Sequence, residues 1–89
     1  MKLEDLNALY HYLDDLVTQD VSEDELFASS YIRGFISLAS SKYGDETQLL
    51  TQQLSNDINE MIKKARTELT PQDREIVKQY WSMLDTNFS

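Results

Sequence analysis

The sequence predicts an all-α domain, a small antiparallel four-helix bundle or a variant of one. Apolar residues recur at three- and four-residue steps in four separate runs. Two glycines and one proline in 89 residues are too few for a sheet of short strands and many turns. Cap-forming residues stand ahead of the later runs. The helices are expected near 3–19, 23–43, 46–66 and 71–87 of a single domain, 1–89.

The first run places Leu3, Leu6, Leu9/Tyr10, Leu13 and Leu16/Val17 on one stripe, with Glu4, Asp5, Asp15 and Thr18 opposite. Ser22 followed by Glu25 reads as a capping box, and Glu23 and Asp24 suit the positive end of a helix dipole. The second helix is apolar over a wide arc: Leu26, Phe27, Ala28, Tyr31, Ile32, Phe35, Ile36, Leu38 and Ala39. It is expected to be the most buried. Ser30, Gly34, Ser37 and Ser41 form a strip of small residues, which reads as room for a neighbouring helix and as the reason for a glycine inside a helix. Gly44 is expected to end this helix at positive φ.

Asp45 with Gln48 reads as the cap of the third helix, whose stripe is Leu50, Leu54, Ile58, Met61/Ile62 and Ala65. Thr70-Pro71-Gln72-Asp73 starts the fourth: Thr70 is the cap, and Pro71 stands where its missing N–H does no harm. That helix carries Ile76, Val77, Tyr80, Trp81, Leu84 and Phe88.

Composition narrows the function. A chain this short buries only about 60–65% of its unfolded surface, so one modest core is expected. The absence of cysteine removes disulfides, thiolate metal sites and thiol nucleophiles together, and fits a reducing cytoplasm. The run Met1-Lys2-Leu3-Glu4-Asp5-Leu6 lacks the apolar stretch of a signal peptide. No apolar run is long enough to span a membrane. The net charge is −8, and residues 1–46 hold ten acids against three bases. Such a field disfavours nucleic acid and anionic lipid.

No catalytic constellation emerges. The single histidine, His11, has Asp15 one turn on, but no second histidine or cysteine completes a metal site. The acidic clusters read as solvated helix faces, and the basic residues do not interleave with aromatics as in nucleic-acid grips. No metal, cofactor or catalytic residue is expected. Two features remain. Arg33 lies within the most apolar helix and must pair with a carboxylate or point outward. The aromatic residues are many for so small a core, and adjacent Tyr80 and Trp81 diverge by about 100° on a helix.

The run Glu23-Asp24-Glu25-Leu26-Phe27-Ala28-Ser29-Ser30-Tyr31-Ile32-Arg33-Gly34 resembles the signature of the YfcL family of small bacterial proteins. Leu69-Thr70-Pro71-Gln72-Asp73 with downstream Trp81 resembles the last-helix pattern of the same family. The resemblance implies a helical bacterial cytoplasmic protein and supplies no catalytic residues. It places Tyr31, Arg33 and Gly34 on the buried second helix, where packing is one reading of them.

The expected function is a non-enzymatic protein–protein interaction module, its partner an unknown protein or a second copy. The candidate surface is Tyr31, Arg33 and Ser37, with Trp81 as a second site. A small-ligand or cation-binding domain is the alternative, and an acidic mimic that binds a basic protein is a weaker one.

Overall fold

The computed structural model describes residues 3–89, so the Met1-Lys2 start of the amino-terminal reading lies outside it. Four helices form: α1 Leu6–Asp15, α2 Glu23–Ser40, α3 Gln52–Ala65 and α4 Pro71–Asp85. Single 3-10 turns, Leu16–Thr18 and Arg66–Glu68, extend α1 and α3. The bundle is 33 × 30 × 19 Å, and its thin dimension is about two helix diameters.

Three caps are those the local chemistry dictates. Ser22 Oγ accepts the Glu25 N–H at 3.1 Å, and Thr70 Oγ1 accepts the Asp73 N–H at 3.2 Å with Pro71 at the first helical position. α1 starts at Leu6, later than the expected 3, and Asp5 caps it by accepting the Ala8 N–H at 2.8 Å.

The third helix starts six residues later than its expected start at 46: it begins at Gln52, and Thr51 caps it through the Leu54 N–H. Asp45 caps a tight turn instead, accepting the Thr47 N–H at 2.9 Å. The reason lies at α1. A helix start leaves backbone N–H groups without partners. The carbonyls of Gln48 and Glu46 accept the Leu6 and Asn7 N–H groups at 2.9 and 2.8 Å. The 45–51 segment, a tight turn followed by a short non-helical stretch, therefore completes the first turn of α1, and Gln48 Nε2 ties it back to the Ser40 carbonyl at 3.1 Å. Leu50 is buried below it.

The second helix ends at Ser40, short of Tyr43, and Gly44 takes φ +133° as expected. The fourth ends at Asp85, short of 87. Asn87 then turns inward and its Oδ1 accepts the Leu3 N–H at 2.8 Å, while Phe88 folds onto Trp81 with ring centres 5.3 Å apart.

α2 is the hub, packing on α4, α3 and α1. Its Ala28, Ile32, Ile36 and Ala39 are wholly buried against Leu6, Leu9, Leu54, Ile58, Val77 and Leu84. The buried arc is narrower than the sequence implied, for Leu38 is 65% exposed and Phe27 lies at the surface. The small-residue strip is also corrected. Ser30, Gly34, Ser37 and Ser41 are all exposed, and a Cβ on Gly34 would meet nothing within 4 Å. No helix of the described chain uses that room.

Candidate functional site

The residues singled out from the sequence do not form one surface. Arg33 reaches across to α1, its Nε 3.0 Å from Asp14 Oδ1 and its guanidinium carbon 4.7 Å from the centre of the Tyr10 ring. Both charged side chains are well exposed, at 42% and 61%, so this is a surface clamp between two helices. Ser37 does lie with Arg33 and Tyr10 along a shallow groove of about 270 Å3 that Asp45 and Glu46 close.

Tyr31, two residues from Arg33, faces elsewhere. Its ring stacks on Phe27 at 5.8 Å and meets Phe35 edge-on at 5.0 Å. Its hydroxyl oxygen is buried and has no hydrogen-bond partner among the described residues. Burial, and then Glu68, pushes the hydroxyl up from its usual value. Trp81 is only 5% exposed, so it belongs to the core rather than to a surface. Its indole N–H donates to Asn59 Oδ1 at 2.8 Å, joining α4 to α3.

That bond crosses the base of a cleft. α3 and α4 both lean on α2 and make few close backbone contacts with each other. Between them opens a cleft of about 440 Å3. Asn59, Ile62, Lys63 and Arg66 come from one side. Arg74, Glu75, Val77, Lys78, Trp81 and Ser82 come from the other, with Leu69 at the closed end. The residues on each helix recur at three- and four-residue steps, so each set occupies a single face.

Charge distinguishes this cleft. Of the eight Lys and Arg residues in an acidic chain, Lys63, Arg66, Arg74 and Lys78 all stand around it, against one carboxylate, Glu75. Among the described residues, none of these cations is in an ion pair. Arg74 Nε donates to the Leu69 carbonyl at 3.3 Å, which holds that guanidinium beside the mouth. Lys63 and Arg66 suit the carboxyl end of α3. Arg74 stands near the amino end of α4, where a helix dipole disfavours a cation. Ile62, Leu69, Val77 and Trp81 supply an apolar floor.

Sequence reading missed this site. The signal was present as two same-face pairs, Lys63/Arg66 and Arg74/Lys78. Their convergence depends on how the two helices lie on α2. His11 is exposed, and no group of three His, Cys, Asp or Glu side chains among the described residues could hold a metal ion.

The YfcL protein family model matches residues 4–86. The chain belongs to the YfcL family. It is 32% identical over 74 residues to the uncharacterized protein YfcL of Escherichia coli strain K12, covering 81% of this chain and 80% of that relative. No solved structure matches. The YfcL match takes in every residue that lines the α3–α4 cleft. No helix of the described residues is long and apolar enough to cross a membrane.

Proposed function

We propose that this YfcL-family protein is a non-enzymatic binding module of the bacterial cytoplasm. It acts by docking another protein in the cleft between α3 and α4. The observation that supports this reading is the gathering of Lys63, Arg66, Arg74 and Lys78 around an apolar floor. Elsewhere the surface is acidic, so cations left unpaired on one face need another explanation than solubility. An apolar groove between two helices suits a partner's side chains, and the cations at its edges fix orientation. A nucleic acid is disfavoured as the partner, since the chain as a whole carries −8.

Comparative capture tests the reading. The wild-type protein and the Lys63→Glu/Lys78→Glu variant are immobilised and exposed to lysate of the parent bacterium. An Arg33→Ala variant serves as the control for the surface expected from sequence. One protein retained by the wild type and by Arg33→Ala, and absent with the cleft variant, is the expected result. The same set of proteins on all three would refute docking in the cleft.

A further inference from the structure

The chemistry of the cleft specifies what the partner presents, an inference that rests on the docking reading above. We infer that the docking element is an acidic amphipathic segment of the partner protein. Its leucine-like or aromatic side chain seats on the half-buried Ile62 and Leu69, beside the buried Val77 and Trp81. Its carboxylates meet Lys63, Arg66, Arg74 and Lys78.

Charge complementarity sets the sign. Four cations against one carboxylate leave the cleft with a local excess of positive charge, although the chain is −8 overall. That excess acts over about 8 Å in physiological salt, so it is felt by a segment in the groove and is screened from a distant body. The long-range field repels a large polyanion, whereas a short segment with few carboxylates incurs little repulsion. The floor adds a second requirement. Carboxylates alone would leave Ile62 and Leu69 uncovered, and an apolar side chain removes that surface from water.

The shape favours a segment over a free small molecule. A small-ligand pocket encloses most of its ligand. This cleft is open along one side and is bordered there by Lys and Arg side chains rather than by a closed wall. Arg66 and Arg74 can each take a carboxylate in two parallel hydrogen bonds, and the lysines add point charges.

Three dye-labelled peptides, blocked at both ends, test this by fluorescence anisotropy. One alternates Glu with Leu and Phe. The second replaces Glu with Lys, and the third replaces Leu and Phe with Ser. Decanoate, the free small acid, is the competitor. The first peptide alone is expected to bind and to resist decanoate. Its affinity should fall about tenfold or more in Lys63→Glu/Lys78→Glu, as expected for lost charge-assisted contacts. The milder Lys63→Gln/Lys78→Gln variant should weaken it less, and rising salt should weaken it in the wild type.

Equal binding of the Ser or Lys peptide would overturn the inference. So would decanoate occupying the cleft at similar concentration, or a concentration-dependent dimer abolished by the same substitutions, which would make a second copy the occupant. If no peptide binds while capture of the native partner still depends on Lys63 and Lys78, the segment chemistry is wrong and docking stands. If capture is indifferent to them as well, docking itself is wrong.

Discussion

The indole N–H of Trp81 donates to Asn59 Oδ1 at 2.8 Å, and this bond bridges the two helices that border the cleft. Asn59 is itself held, since its Nδ2 donates to the Ser55 carbonyl at 3.0 Å. Asn59→Leu leaves a buried indole donor without an acceptor, and such a loss costs about 1–3 kcal/mol. Urea unfolding followed by the fluorescence of the single tryptophan measures it. A change below about 0.5 kcal/mol, the scatter of ordinary surface substitutions, would contradict the bridge.

Gly34 gives a prediction of opposite sign. It sits inside α2, and a Cβ there meets nothing within 4 Å. Gly34→Ala therefore removes unfolded-state freedom and clashes with nothing, and should stabilise the protein by about 0.5–1 kcal/mol. A lower melting temperature for the variant would show that the space beside α2 is filled.

The Arg33 clamp is expected to be weak. An exposed ion pair contributes about 0.2–1 kcal/mol, and an exposed cation–π contact about 0.5–1 kcal/mol. Arg33→Ala should lower stability by about 1 kcal/mol, with much of the ion-pair share screened at high salt. A loss well above 2 kcal/mol would mean that the guanidinium holds more than Asp14 and Tyr10.

Tyr31 yields a fourth stability test. Its hydroxyl oxygen is buried without a partner among the described residues, so Tyr31→Phe deletes a desolvated polar group and no hydrogen bond. Stability should be unchanged or slightly higher. A clear loss would reveal a partner for that hydroxyl and return it to the set of candidate recognition groups.

The acid limb of stability should depend on Asp57. A hydrogen bond from the Tyr43 hydroxyl, and then the Lys42 ammonium 3.1 Å away, holds this carboxyl below its ordinary 3.8. The unfolded chain thus takes up this proton at higher pH than the folded one does. The stabilisation is complete above 3.8 and disappears as pH falls through the folded-state value. Asp57→Asn should flatten the pH dependence in that window. A residual slope should remain from Asp45, which the Thr47 hydroxyl and N–H also hold down. Urea midpoints across an acid pH series provide the check, and an unchanged slope would contradict the assignment.

Much of the fold was legible because its causes are local. Ser22, Thr70 and Pro71 act within one turn of themselves, and the stripes of α1, α3 and α4 need only a periodicity of 3.6 residues. The segment from 45 to 51 was not legible, because what holds it out of a helix is remote. Leu50 and Leu54 satisfy a helical period, yet the Leu6 and Asn7 N–H groups need carbonyls, and Gln48 and Glu46 supply them. Asp45 reads as the cap in the sequence, and the structure gives that role to Thr51, because a tertiary demand holds 45–51 out of the helix. The same limit applies to the cleft. Each pair of cations is visible on its own helix, but only the placement of α3 and α4 on α2 brings the four together. Trp81 stands on the apolar stripe of α4 and as a candidate surface in the sequence, and only the fold shows it buried with Asn59 opposite its N–H.

Amide chemical-shift mapping of the isotope-labelled protein with its captured partner tests the central claim most directly. The expected shifts concentrate at residues 62–66 and 74–82 and vanish in Lys63→Glu/Lys78→Glu. Shifts confined to the Tyr10, Arg33 and Ser37 groove, with the cleft unmoved, would contradict the assignment.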